Sequence, residues 1–203
     1  MTEGLYLFVT SDRPDQYLNP ILHCLQHKNL SKIVFLSVEN RPGSDTSSSA
    51  RQVRENVESL LSSLAYKGKY KYFTGSMRSK EIDLQITYSP DKLASIKEKY
   101  ASAKARKVPW IEIEIDYFKL REELARIHKT EPDSVFDVSA VSKSYLGDLF
   151  AIGVVEGIDN IYTFNLNRSA NFDEPWKSLF HELEFRNPGN KGYNYVNLTK
   201  TYI

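Results

Sequence analysis

The sequence predicts an α/β fold with a mainly parallel sheet and helices on both faces of that sheet. Continuous apolar runs at 5–10 and 32–38 are typical of strands that are buried on both faces. An amphipathic helix pattern separates these two runs, and such a strand–helix–strand unit is typical of a right-handed parallel crossover. Candidate strands and helices then alternate along the rest of the chain. This alternation is typical of a Rossmann-like sheet.

The first half of the chain contains two predicted amphipathic helices. The first begins near Asp12, a candidate N-cap, with Pro14 close to the first turn, and ends near residue 28. Its apolar stripe consists of Tyr17, Leu18, Ile21, Leu22 and Leu25. The elements expected after the second strand are a helix at 48–66, short strands at 70–73 and 82–88, and a charged helix at about 90–106.

The second half continues the alternation. Residues 110–116 alternate strictly between apolar and polar, so Ile111, Ile113 and Ile115 should face the core. The further predicted elements are a helix at 117–129, a central strand at 135–138, a helix at 144–156, a strand at 160–166, a helix at 172–184 and a final strand at 193–198. Residues 1–203 are therefore predicted to form one α/β domain, with 167–203 as a C-terminal extension of the same fold.

Composition argues against several classes of protein. The chain of 203 residues has 27 basic and 26 acidic residues, and this balance argues against a general nucleic-acid coat protein. The single cysteine, Cys24, cannot form an internal disulfide and indicates a reducing compartment. The start of the chain lacks a basic region, and the apolar run at 149–155 is far shorter than the ~20 residues of a membrane span. We therefore expect a cytoplasmic protein with no membrane partner.

Polar residues follow two of the predicted strands and form the candidate ligand-binding site. These residues are Thr10, Ser11, Asp12, Arg13, Ser139, Ser142 and Lys143. In open α/β sheets, ligands bind outside the carboxyl ends of the strands, near the point where the strand order reverses. Hydroxyls and backbone amides at a helix N-terminus favour phosphate, and Lys143 adds a point charge. The sequence therefore predicts an anionic, phosphorylated ligand; the alternative is that Ser142 only caps the helix and Lys143 is solvated.

Other functional patterns are less favoured. The turn TSDRPD after the first strand contains no glycine, and the chain has no Walker lysine motif, which argues against a classical nicotinamide dehydrogenase or nucleoside triphosphatase. His23 and His27 are four residues apart on a predicted helix, but a solvated polar face explains them better than a metal site. Glu112, Glu114 and Asp116 lie on one side of a predicted strand, where paired carboxylates could serve acid–base chemistry or bind a cation. Any half-exposed strand has polar residues at alternate positions, and this explanation is favoured. No metal and no cofactor are predicted.

Arg121 and His128 lie on one predicted helix with six residues between them. This arrangement is similar to the Arg–His motif of HEPN-type ribonucleases, in which the pair contacts the cleaved phosphate. Because charged helices also contain such pairs by chance, the pair alone does not predict a ribonuclease.

The segment Asp-Val-Ser-Ala-Val-Ser-Lys, which begins at Asp137, resembles the aspartate–hydrophobic–Ser/Thr and basic-residue signature of CARF domains. These are Rossmann-like sensors that accompany CRISPR and related antiviral systems. The helix and strand at 145–166, and the strand, polar turn and helix at 5–25, are similar in layout. Many members of the family have a glycine-rich loop before the basic residue, where this chain has Ala140 and Val141.

The resemblance implies a homodimer that binds a cyclic oligonucleotide, usually a cyclic oligoadenylate, across its two-fold axis. From the first loop, Thr10 and Ser11 would contact this ligand. From the second loop, Ser139, Ser142 and Lys143 would do so, with Lys143 neutralising a phosphate. The expected function is a sensor of this second messenger, with a separate effector protein as a candidate partner.

Two alternatives to a sensor stay open. The chain could be a metal-independent ring nuclease, in which Ser11 orients the ring and Lys143 stabilises charge that develops on the phosphate. It could also be an interaction subunit that binds no ligand.

Overall fold

The computed structural model describes residues 3–11, 15–43, 49–65, 69–73, 79–83, 98, 108–166 and 193–200. The helices and strands occur in the order β1 (Glu3–Val9), α1 (Asp15–His27), β2 (Leu30–Glu39), α2 (Ala50–Ala65), β3 (Lys69–Phe73), β4 (Ser79–Asp83), β5 (Trp110–Asp116), α3 (Leu120–Thr130), β6 (Val135–Asp137), α4 (Lys143–Glu156), β7 (Ile161–Leu166) and β8 (Tyr193–Asn197). A short 3-10 helix, Tyr117–Lys119, connects β5 to α3. The helix predicted at 172–184, and all of the helix predicted at 90–106 except residue 98, lie outside the described residues.

Six strands form one sheet in the order β5-β2-β1-β6-β7-β8. The first five of these pair in parallel, and β8 pairs antiparallel with β7. β3 and β4 form a separate two-stranded antiparallel sheet. The chain leaves β1 towards β2 on one side, whereas β6 leads to β7 on the other, so the strand order reverses between β1 and β6. The predicted fold class, a mainly parallel Rossmann-like α/β sheet, is confirmed.

Helices cover both faces of the sheet, as predicted. On one face, α1 and α2 contribute Tyr17, Leu18, Ile21, Leu22, Val53 and Val57 to the core. On the opposite face, α3 and α4 contribute Leu120, Leu124, Ile127, Tyr145 and Leu149. Because both faces are covered, residues 4–9 of β1 are all buried, which explains the continuous apolar run in that strand.

The prediction for β5 is partly correct. Ile115 is buried in the core formed with α3 and α4, and Ile113 packs partly against that core, but Ile111 is 37% exposed. Within the described residues, β5 pairs with β2 on one side and has no strand on the other. An edge strand has fewer neighbours to cover it, so its apolar side is incompletely buried.

α4 contains the apolar run at 149–155, and it leaves Val154 and Val155 exposed. The helix ends at Gly157, whose φ of 67° lies in the left-handed region that glycine adopts without steric cost. In the part of the chain that the structure describes, neither α4 nor any other helix has the length and apolar character needed to cross a membrane.

Candidate ligand-binding site

The loops that follow β1 and β6 meet at the carboxyl edge of the sheet. β1 and β6 are adjacent parallel strands, with Leu7 opposite Asp137. Beyond them, the Thr10 hydroxyl donates a hydrogen bond to the Ala140 carbonyl at 2.7 Å. The expectation that these two turns lie together is therefore confirmed. They meet where the strand order reverses, which is the usual ligand position in an open α/β sheet.

Tyr17 holds the loop after β1 in place. Its buried hydroxyl donates to the Ser11 carbonyl at 2.6 Å and accepts from the Ser11 N–H at 3.2 Å. This double contact fixes the backbone at Ser11, which is itself partly exposed. Asp12 and Arg13, the other candidates in this loop, lie outside the described residues.

Ser139 is bound within the protein. Its hydroxyl donates to Asp137 Oδ2 at 2.9 Å and accepts from the Phe164 N–H at 2.7 Å. Its own N–H donates to Asp137 Oδ1 at 3.1 Å. Because a serine hydroxyl has a single hydrogen, donation to a phosphate would require the Asp137 contact to break. A direct contact between Ser139 and a ligand stays a prediction.

Asp137 is a buried carboxyl group at the end of β6. Burial raises its pKa to about 7, although hydrogen bonds from Ser139 and Tyr195 oppose that rise. Tyr195 also accepts a hydrogen bond from Cys24 Sγ at 3.8 Å, and its ring centroid lies 4.7 Å from that of His23. Because Asp137 is only 2% exposed, it shapes the loop after β6 and does not reach the surface.

The start of α4 is not capped by the side chain of Ser142. Ser142 occupies the N-cap position, but its hydroxyl makes no capping hydrogen bond and lies 3.3 Å from the Ser144 hydroxyl. The Ser142 carbonyl accepts the N–H groups of Tyr145 and Leu146. Among the described residues, the N–H groups of Lys143 and Ser144 find no acceptor. The part of the alternative in which the Ser142 side chain caps the helix is therefore wrong, whereas an exposed Lys143 agrees with its other part.

Lys143 is exposed at the first position of α4. It forms no ion pair with any residue that the structure describes. Ala140, whose carbonyl accepts the hydrogen bond from Thr10, lies three positions before Lys143 in the sequence. The side chain of Lys143 is therefore accessible to an anion from solution, at the start of the helix that follows the joined loops.

Arg41 was not among the residues that the sequence pattern predicted, yet it lies close to the start of α4. Its Nη2 is 3.4 Å from Ser144 Oγ, and its Nε and Nη2 are each 3.4 Å from Asp148 Oδ2. Its Cζ lies 4.8 Å from the ring centroid of Tyr145. The Tyr117 hydroxyl donates to the same Asp148 oxygen at 3.2 Å. The sequence feature that could have indicated Arg41 is its position shortly after β2, a parallel strand whose carboxyl end lies at the same edge of the sheet.

The other polar patterns of the sequence do not form a metal site within the described ranges. No three residues of the types His, Cys, Asp and Glu are grouped there so that they could hold a metal ion. The rings of His23 and His27 are 4.6 Å apart on α1. Glu112 forms an ion pair with α2, and Asp116 accepts the Phe118 N–H at 2.9 Å as the cap of the 3-10 helix. These carboxylates therefore stabilise β5 and its neighbours.

Arg121, the first member of the Arg–His pair on α3, makes a contact within the protein. Arg121 forms an ion pair with Glu156 at the end of α4. His128 is half-buried and lies seven residues further along α3. A role of this pair in phosphate chemistry stays a prediction.

No family model, curated protein or solved structure matches the chain. Its function is therefore inferred from three features of the described residues. These are the joined loops after β1 and β6, the uncapped start of α4, and the exposed ammonium group of Lys143.

Proposed function

We propose that the chain binds a phosphorylated ligand where the loops after β1 and β6 meet. The observation that supports this most directly is the start of α4. There, the N–H groups of Lys143 and Ser144 lack an acceptor among the described residues, beside an exposed lysine with no ion pair. Phosphate oxygens accept such N–H groups, and both the helix N-terminus and the lysine favour negative charge. The Thr10–Ala140 hydrogen bond adds support, because it holds the first loop against the segment that leads into α4.

The finer proposal is that this ligand is a cyclic oligonucleotide. It rests on the resemblance of residues 137–143 to the signature of CARF domains. A ring with several phosphates would need more than one such site, and a homodimer would supply two copies of Lys143. The chain would then act as a sensor whose loop after β6 changes on binding and signals to a separate effector protein.

Calorimetric titration with cyclic di-, tri- and tetra-adenylate at low salt tests this proposal. We expect binding to at least one ring, and Lys143→Ala should weaken it about ten-fold or more, because a charge-assisted contact is lost. Lys129→Ala is the matched control, since Lys129 is exposed on α3, and it should change the affinity by no more than about two-fold. The absence of heat with every ring would contradict the proposal, as would equal effects of the two substitutions.

Chromatography of the same mixtures separates a sensor from a ring nuclease. A ring nuclease would convert the ring to linear products without added metal, and Lys143→Ala should abolish this conversion. A sensor would return the ring intact. An interaction subunit without a ligand would show neither heat nor products.

A further inference from the structure

We propose that Arg41 is a second phosphate-binding cation of this site and that Asp148 holds it in place until the ligand binds. This inference rests on the proposed function, because it assigns one more residue to the same ligand. It depends on where Arg41 lies, on the length of its contacts and on its packing against Tyr145.

Arg41 lies at the edge of the sheet where the two loops meet. β2 is adjacent to β1, and Arg41 follows the end of β2 after Asn40. Asn40 has a φ of 57°, a left-handed conformation that asparagine tolerates better than most residues, and it turns the chain at this point. The guanidinium then reaches Ser144 Oγ at 3.4 Å, which in turn lies 3.3 Å from Ser142 Oγ. The hydroxyls of Ser144 and Ser142 therefore link Arg41 to the N-terminus of α4, where Lys143 is exposed.

The contacts that hold Arg41 allow it to change partner. Its Nε and Nη2 both lie 3.4 Å from one oxygen, Asp148 Oδ2, whereas charge-assisted hydrogen bonds are usually about 2.7–2.9 Å long. Asp148 also accepts from the Tyr117 hydroxyl, so it would keep a donor if Arg41 moved. A phosphate offers two oxygens to the planar guanidinium, and each N–H could then have its own acceptor at a shorter distance.

Tyr145 supports the guanidinium of Arg41. The guanidinium carbon lies 4.8 Å from the ring centroid, which is within the range of a cation–π contact. Tyr145 is almost fully buried, and among the described residues its hydroxyl has no hydrogen-bond partner. The guanidinium of Arg41, supported by the Tyr145 ring and next to the exposed Ser144 hydroxyl, offers hydrogen-bond donors to an anion.

Affinities of Arg41 and Asp148 variants for cyclic di-, tri- and tetra-adenylate test the inference. Arg41→Ala should weaken binding by about ten-fold or more, because a charged partner of the phosphate is lost. Arg41→Lys should give an intermediate loss, since lysine keeps the charge but cannot bind two oxygens in one plane. Asp148→Asn should strengthen binding by about two-fold or more, because it removes a negative charge that competes for Arg41. If the pair were only structural, Arg41→Ala and Asp148→Asn would both weaken binding.

Arg121→Ala is the matched control, because it removes an arginine–carboxylate pair at the opposite end of α4. It should leave the affinity within about two-fold of the wild type. Thermal unfolding followed by circular dichroism establishes that each variant is folded. The inference is overturned if Arg41→Ala binds like the wild type, or if Asp148→Asn weakens binding.

Failure of the proposed function has a different signature. If the proposed site is wrong, the wild type binds none of the three rings, or Lys143→Ala binds as the wild type does; either result also overturns the role of Arg41. If only the inference about Arg41 is wrong, Lys143→Ala still weakens binding, while either Arg41→Ala binds like the wild type or Asp148→Asn weakens binding as well.

Discussion

At the residue scale, the carboxyl edge of the sheet combines two kinds of polar side chain. Asp137, Ser139 and Tyr17 are bound within the protein and hold the two loops in place. Lys143 is accessible, and Arg41 has long contacts that it can exchange. Substitutions in the first group should therefore change stability, whereas substitutions in the second group should change binding.

Asp137 should make the stability of the protein depend on pH. Burial raises its pKa to about 7 in the folded state, compared with about 3.9 in an unfolded chain. Between these values the folded state binds one proton more than the unfolded state, so the free energy of unfolding falls as the pH rises. Asp137→Asn should reduce the fall between about pH 5 and about pH 7.5 by roughly 2 kcal/mol. Urea unfolding of both proteins at the two pH values measures this change.

Ser139→Ala is the control for Asp137. It removes a hydrogen bond to the carboxyl group but leaves the titrating group in place, so the pH dependence should persist while the stability is lowered at both pH values. If Asp137→Asn keeps the full pH dependence, then another group titrates over this range.

At the scale of helices and strands, two glycines of α4 have opposite surroundings. A Cβ at Gly153 would clash with Ile161 Cδ1 and would lie 3.2 Å from Thr199 Cγ2, whereas a Cβ at Gly147 would meet nothing within 4 Å. Gly147→Ala should therefore raise the free energy of unfolding by about 0.5–1 kcal/mol. Gly153→Ala should lower it by about 1 kcal/mol or more, because overpacking outweighs the gain in helix propensity.

Urea unfolding of the two glycine variants measures both effects in one helix. Since the substitutions are chemically identical, any difference between them reports the packing of α4 against β7 and the segment after β8. If both variants were stabilised equally, the end of the Ile161 side chain would have moved away from the new Cβ, and the expected overpacking at Gly153 would be wrong.

Elements with a strong local apolar pattern could be predicted from the sequence. β1, β2 and α4 occur within two residues of their predicted bounds. Their apolar patterns can be recognised from neighbouring residues alone, without knowledge of the tertiary structure. β4 occurs at Ser79–Asp83, earlier than the predicted strand at 82–88, because its mixed polar sequence has no clear period. The antiparallel pairing of β8 and the edge position of β5 could not be predicted, since strand pairing joins distant segments.

Contacts between segments that are distant in the sequence also limited the prediction of the candidate site. The meeting of Thr10 with the loop before α4 could be predicted, because parallel strands bring their carboxyl ends to one edge. The contact between Arg41 and Asp148 joins positions 107 residues apart, and no local pattern indicates it. Nor did the pattern indicate that the Ser139 hydroxyl would be hydrogen-bonded to Asp137 and to the Phe164 N–H. These hydrogen bonds depend on the three-dimensional position of the side chain, which the local sequence does not determine.

At the scale of the whole molecule, a second polar cluster lies at the opposite, amino edge of the sheet. Its centre is Glu131, which accepts hydrogen bonds from Tyr6 at 3.0 Å, Lys32 at 2.6 Å and Ser134 at 3.1 Å. Ser134 also accepts the Gly4 N–H at 3.2 Å. These contacts connect β1, β2 and the segment before β6. The sheet thus has a side-chain network that stabilises one edge, while the proposed ligand site occupies the other.

Glu131→Gln should lower the free energy of unfolding by about 1–3 kcal/mol at neutral pH, because it weakens a charge-assisted contact and two hydrogen bonds. Although burial raises the pKa of Glu131, hydrogen bonds from Lys32 and Tyr6 hold that pKa below its usual value. The stabilisation is therefore present at neutral pH and is lost as the pH falls below about 4.5, so the difference between variant and wild type should shrink in acid. Urea unfolding measures this difference, with Glu122→Gln as the exposed control on α3.

The ligand affinity of Glu131→Gln should stay within about two-fold of the wild-type value, because the substitution leaves the carboxyl edge unchanged. Titration with the adenylate rings provides this second measurement. A loss of affinity as large as that of Lys143→Ala would mean that the two edges are coupled through β1 and β6. Unchanged affinity with lowered stability would mean that the network at the amino edge contributes to the stability of the sheet but is not energetically coupled to the ligand site.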